Sequence, residues 1–349
     1  MHFRLFSIPL RSIFIETMHK KTVLVSLAAL LMAACGNTKK STVETAGAML
    51  PVGPAFVADS AYAFCQQQCD FGPRTMNSEA HDRCGEWIAQ KFRDYGMEVT
   101  LQQADLRGYD GTTLKSTNII AKYRPEQTER ILLCAHWDSR PWADNDPDEA
   151  NHHKPVMAAN DGASGVAVML EVARLISSDT LAVGVDFVCF DAEDWGTPQW
   201  ADSEGNDADT WALGAQYWAE NFTLHPSPFT IRYGILLDMV GGQGAKFYQE
   251  QVSTYYAPDV VRKVWAAAEA VGYGSLFPKD EGHGITDDHV PVNQKAKIPC
   301  IDIIPYYPDC DASGFGPTWH TVNDDMQHID RNTLQAVGQT MIQVLFSEK

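Results

Sequence analysis

Val183-Gly-Val-Asp-Phe-Val-Cys-Phe190 runs straight into Asp191-Ala-Glu-Asp-Trp-Gly196. The first stretch is β-branched and aromatic and reads as a buried parallel strand. The acidic pair Glu193-Asp194 then stands at the carboxyl end of that strand, where open α/β sheets gather ligands and catalytic groups. An acidic pair in a loop is ordinarily just solvated, so this pair signals chemistry only if the rest of the chain supplies partners.

It does. Ile131–Ala135 reads as a strand and leads into His136-Trp-Asp138-Ser139; Ile231–Leu237 leads into Asp238. Ile298–Ile304 carries Asp302 and leads through a Pro-rich loop to Trp319-His320-Thr321. Asp161 opens a small-residue turn, Asp161-Gly-Ala-Ser-Gly165, ahead of a helix over 162–177. Strand-end or turn sites supplying His136, Asp161, Glu193-Asp194, Asp238 and His320 point to a metal site. Imidazole and carboxylate donors without converging cysteines suit zinc. Catalytic zinc normally takes three protein ligands and keeps a fourth position open. Asp161, Asp194 and His320 would supply such a set, with Glu193 beside it as acid/base.

Around these segments the pattern alternates strands (97–106, 116–123, 130–135) with helices (after the cap signal Asn77-Ser78, at 162–177, about 209–221, about 257–271 and 331–346). No linker interrupts it, so 55–349 is expected to be one α/β domain. The loops 140–157 and 197–209 are long and acidic, and such loops build substrate pockets. His152-His153 in the first reads as a solvated pair, and Trp200 lies in the second. The formal charge of −18 excludes nucleic acid as a partner.

At the amino terminus, Met18-His-Lys-Lys precedes the apolar run Val23–Ala34 and then Cys35. This predicts an export signal over 1–34, with Met18 as a candidate true start, too short to span a membrane. Ala33-Ala34-Cys35 resembles the lipobox of bacterial lipoproteins. That resemblance implies a lipidated Cys35, a tether over 35–54, and membrane anchoring through lipid alone on the periplasmic side. Cys134, Cys189 and Cys300 fall inside apolar strands and are expected to be buried; no disulfide is assigned. No heptad or apolar stripe appears, and a monomer is expected.

Taken together, His136-x-Asp138, the Asp161 turn, Glu193-Asp194, Asp238, Asp287-Asp288-His289 and Trp319-His320 resemble the zinc exopeptidase superfamily of co-catalytic aminopeptidases. Within it the chain looks most like the animal-type, zinc-dependent glutaminyl cyclases. The supporting details are Trp137, Leu237-Asp-Met-Val-Gly241, the paired Asp before His289, and Trp319 next to His320. The resemblance implies a single-domain α/β/α sandwich with a mixed, mostly parallel central sheet. It makes Asp161, Asp194 and His320 the ligands of one Zn2+, Glu193 the general acid/base, Asp238 and Asp287 its hydrogen-bonding partners, and Trp319 and Trp200 walls of the substrate pocket. The substrates implied are peptides and proteins with N-terminal Gln. Two departures stand out: Asp194 replaces the usual Glu ligand, and Asp302 falls where the animal enzymes carry His.

Two other readings compete. In a two-zinc aminopeptidase, His136 and Asp238 hold a second ion, Asp161 bridges, and Glu193 activates water. In a binding module that has lost its chemistry, ligands should be missing, yet all are present.

Overall fold

The computed structural model describes residues 49–201, 207–224 and 228–349, all within one compact unit, Gly47–Lys349. The expected export signal, Cys35 and the tether up to residue 48 lie outside the described residues. In chain order the elements are α1 (Ala58–Asp70), α2 (Glu79–Asp94), β1 (Glu98–Arg107), β2 (Thr113–Tyr123), β3 (Glu129–His136), α3 (Ala163–Ile176) and β4 (Gly184–Phe190). They continue with α4 (Leu213–Leu224), β5 (Thr230–Leu237), α5 (Gln251–Tyr256), α6 (Pro258–Ala270), α7 (His289–Gln294), β6 (Cys300–Ile303) and α8 (Arg331–Ser347).

The six strands form one sheet in the order β1-β2-β4-β3-β5-β6. β4, β3, β5 and β6 run parallel, while β1 and β2 add an antiparallel edge. Period-two alternation splits each central strand between two cores. Ile131, Leu133 and Ala135 of β3 pack with residues of α1, α2, α3, α6 and α8 on one face. Leu132 and Cys134 pack with Ala215 and Trp218 of α4 and Val292 of α7 on the other. Helices on both faces of a mostly parallel sheet make the expected α/β/α sandwich. Cys134, Cys189 and Cys300 are buried and free.

Several boundaries differ from the expectation for physical reasons. β6 begins at Cys300 rather than Ile298, because Pro299 has no amide to give the ladder and serves only as acceptor for Gly234 N. The helix expected from about 209 starts at Leu213, since Ala212 takes a left-handed φ of 53° that separates it from a short turn at Asp207–Thr210. The last residues of the expected tether are held. Gln343 and Gln339, one turn apart on α8, bond the backbone at Leu50, Val52, Pro54 and Phe56.

Candidate metal centre and cavity

β3, β4 and β5 deliver their carboxyl ends side by side, and the chemistry-bearing residues follow from that. His136 is the last residue of β3, Glu193 and Asp194 follow β4, and Asp238 follows β5. Asp161 comes from the turn before α3. That turn lies tight against β5: a Cβ on Gly165 would stand 2.1 Å from Leu237 O, and Gly162 takes a φ of 103° that side-chain-bearing residues rarely adopt. His320 comes from the long loop after β6.

Two buried carboxylates hold these backbones by the same device. Asp138 accepts from Glu193 N at 3.0 Å and from Asp194 N at 3.1 Å. Asp324 accepts from Asn160 N at 2.8 Å and Asp161 N at 3.0 Å. The fully buried Arg74 donates to Trp137 O, Met157 O and Ala158 O, tying the exit of β3 to the approach to Asp161. Four non-glycine residues at the site carry left-handed φ angles: Ala158, Ala192, Met239 and His320. Such conformations cost on the order of 1–3 kcal/mol each and concentrate where structure serves function.

The expected zinc ligands Asp161, Asp194 and His320 are buried, with ligand atoms within 4.8 Å of one another. His320 Nε2 lies 3.3 Å from Asp194 Oδ1 and 3.6 Å from Asp161 Oδ2. Its other nitrogen faces Asp144 Oδ1 at 3.4 Å, the arrangement that orients a ligating imidazole. Neither oxygen of Asp194 accepts a well-formed hydrogen bond, although His320 Nε2 and, at 3.5 Å, Arg140 Nη1 stand near Oδ1, and burial pushes its carboxyl up. A buried carboxylate left in that condition fits a cation. The shorter Asp194 therefore still reaches the ligand cluster despite standing where a Glu is usual.

His136, Asp161 and Asp238 form a second such group that shares Asp161. His136 Nε2 lies 2.9 Å from Asp161 Oδ1 and 3.3 Å from Asp238 Oδ1. Burial works against the His136 cation, but Asp138, Asp161 and Asp238 outweigh it and raise its pKa well above the ordinary value. The ligands required by the two-metal reading are thus also together.

Both groups open onto a cavity of about 280 Å³. Asp161, Glu193, Asp207, Asp238, Thr286, Asp287 and His320 supply its polar surface; Trp211, Phe315, Trp319, Ile285 and Ile304 wall it. Burial drives the Glu193 carboxyl well above the usual range, and the charges of Asp194, Asp287 and Asp288 push it further. Asp238 is raised to about 7, again by burial first and then by Asp287 and Asp161, against His136. No hydrogen bond joins Glu193 to Asp238 or Asp287 among the described residues; the three carboxyls share the cavity instead. Like charges this buried cannot all ionise, and they hold protons as a set.

The expected wall residue Trp200 needs correction. It is exposed, packs with Trp142, His152 and His153, and does not line the cavity. Trp211 does, with its ring stacked against His320 at 6.0 Å. Trp319 lines the cavity as expected and stacks on His320 at 3.8 Å. Trp137 is a core residue stacked on His81 rather than a pocket aromatic. Arg140 was hidden from sequence reading in a loop rich in charge. It is buried, lies over Trp211, pairs with Asp144, and donates to Asp194 O and Gly196 O.

A family model described as peptidase family M28 matches residues 118–345. The chain belongs to peptidase family M28. Within reach of this family assignment, the protein is similar to a crystallised glutaminyl cyclase of Bacteroides thetaiotaomicron bound to N-acetylhistamine: 51% identity, 85% of this chain and 100% of that one, TM-score 0.82. It is also similar to a structure named as a leucine aminopeptidase precursor from the same organism: 50% identity, 86% and 100% coverage, TM-score 0.81. Aminopeptidase YwaD of Bacillus subtilis is 27% identical over 265 residues, 73% of this chain; the chain spans 50% of that relative's length. The M28 relatives thus carry two kinds of name, cyclase and aminopeptidase.

Proposed function

We propose that this M28 protein is a glutaminyl-peptide cyclotransferase, closing N-terminal Gln of peptides into pyroglutamate with release of ammonia. The observation that carries the reading is Asp287. A two-metal hydrolase uses His136 and Asp238 as ligands and Glu193 as base, a set that does not call on Asp287. A cyclase needs a proton held and returned within the cavity, and a third carboxyl beside Glu193 and Asp238 serves that need. The 51% identity to a glutaminyl cyclase along that chain's whole length supports the same reading.

Asp161, Asp194 and His320 would hold one Zn2+, which as a Lewis acid polarises the side-chain amide carbonyl of the substrate. The remaining work belongs to the chain. Glu193, its carboxyl raised by burial, takes a proton from the substrate's α-ammonium. The freed amine attacks the amide carbon and a carbon–nitrogen bond forms. The proton on Glu193 goes to the departing nitrogen, which leaves as ammonia, and the second proton that the ring nitrogen sheds as the lactam forms passes to the emptied Glu193 carboxylate. Burial and the neighbouring charges of Asp194, Asp287 and Asp288 make Glu193 a stronger base than an ordinary carboxylate, which suits a group that must first accept a proton and then donate it. Because both reacting groups lie on one residue, holding the Gln against Trp211, Trp319 and Phe315 removes much of the entropic barrier. Those aromatic walls also keep out water, the nucleophile this reaction must avoid. As a further part of the reading, Cys35 anchors the exported protein to the cell envelope through lipid; the mass of the mature amino terminus tests this.

The deciding experiment incubates the zinc-loaded protein with one peptide beginning with Gln and another beginning with Leu, read by mass spectrometry. Loss of ammonia from the first alone is the expected result. Release of free Leu from the second would make His136 and Asp238 ligands of a second ion.

A further inference from the structure

Glu250 is buried and charged, yet the mechanism gives it no part. It caps α5: Oε1 accepts from Val252 N at 2.7 Å and Oε2 from Ser253 N at 2.5 Å. A cap requires no more than this, and Asp or Ser performs it equally well. Glu250 reaches further. Oε1 also accepts from Ile285 N at 3.2 Å, and Oε2 lies 3.3 Å from His289 Nε2.

Those two contacts fall two positions before and two positions after Asp287. Ile285 and Thr286 line the cavity, and His289 begins α7. Among the described residues, the bond to Glu250 is the one hydrogen bond donated by a backbone amide of residues 284–287. The segment carrying Asp287 therefore hangs between the two oxygens of a single carboxylate. The cap is tied in turn to β6, because Ser253 Oγ accepts from Asp302 N at 2.9 Å.

We propose that Glu250 is a positioning residue for Asp287: it holds the backbone amide of Ile285 by a hydrogen bond and stands in 3.3 Å electrostatic contact with the imidazole of His289, and so sets where the Asp287 carboxyl stands in the cavity. The proposal rests on the cyclase reading for the role of Asp287. Burial raises the Glu250 carboxyl, but His289 and the α5 amides hold it down at about 2, so the grip stays ionised across the working range. Misplacing a catalytic group by about 1 Å costs roughly 10²-fold in rate, so a weakened grip should appear in kcat.

Glu250→Asp separates the two roles. Aspartate still caps α5 and keeps the charge, but it is one methylene too short for Ile285 and His289. The test compares the zinc-loaded, full-length parent and variant on the Gln peptide across pH, with zinc content and Tm measured alongside. The expected result is a kcat lowered about 10-fold or more with a displaced pH profile. KM should stay within about twofold, with zinc and Tm as in the parent. His289→Asn, which cuts one handle and leaves the cap whole, should lower kcat in the same direction. Parent-like kcat and pH profile in both variants would overturn the proposal, as would a loss of kcat that follows lost zinc. If the parent hydrolyses the Leu peptide instead, the cyclase reading fails, and the same kcat ratio on that peptide judges the grip.

Discussion

The sheet buries charge at both ends, and treats it in opposite ways. At the amino-terminal end of β3, Arg130 is fully buried and every nitrogen is engaged. Nε and Nη2 meet Asp186, and Nη1 and Nη2 donate to the carbonyls of Arg124, Gln127, Tyr123 and Val185. At the carboxyl end, Asp194, Asp238 and Asp287 keep buried oxygens that accept no well-formed hydrogen bond. An unpaired buried polar atom costs on the order of 1–3 kcal/mol, so proteins tolerate it where something else binds or reacts. The satisfied pair reads as stability and the unsatisfied set as function.

That contrast can be broken by experiment. Glu193→Gln should abolish turnover by about 10²- to 10⁴-fold while leaving Tm at or above the parent value, since it removes a buried carboxyl held far from its ordinary pKa. Initial rates and thermal unfolding check both halves, and parent-like turnover would remove Glu193 from the proton path. Arg130→Met should do the reverse. Unfolding in urea should show a loss of about 3–5 kcal/mol, because Asp186 is left buried without its partner, while kcat of the folded protein stays near that of the parent.

A subtler test uses pH in chelator-treated protein. Asp238 is held at about 7, above its unfolded value. Its contribution to stability is therefore fully present below the unfolded pKa and is lost as pH rises toward 7, with a slope of up to about 1.4 kcal/mol per pH unit. Asp238→Asn should flatten that slope. Restoring zinc sharpens the comparison: one bound ion, by neutralising Asp161, should weaken the Asp238 slope, whereas a second ion on Asp238 would erase it. The smallest effect concerns the walls. Trp211→Ala should raise KM for a short Gln peptide several-fold, to roughly 1 kcal/mol of lost contact, and Trp200→Ala should leave it within about twofold.

Much of this was legible in sequence because it is local. The alternation of apolar strands and amphipathic helices specifies a two-sided parallel sheet, and carboxyl ends of such strands are where polar residues can gather. His136, Glu193-Asp194 and Asp238 stood out because each follows an apolar run directly. Asp144 and Asp324 did not. They sit in polar loops, where a carboxylate with buried partners looks the same as one facing water. Glu250 was invisible for the same reason: its partners at Ile285 and His289 lie more than thirty residues away.

Sequence alone determined the fold class, which strand ends carry the chemistry-bearing residues and the donor types of the metal set, since these follow from periodicity and side-chain identity. Only the tertiary structure decided that Trp211 and not Trp200 faces the cavity, that the buried Arg140 braces the backbone at Asp194, and that Glu193 shares its cavity with Asp238 and Asp287 without a hydrogen bond to either. Those facts depend on how loops of arbitrary length return to the sheet edge. Loop paths are set by side-chain-to-backbone bonds between distant residues, which no local pattern encodes.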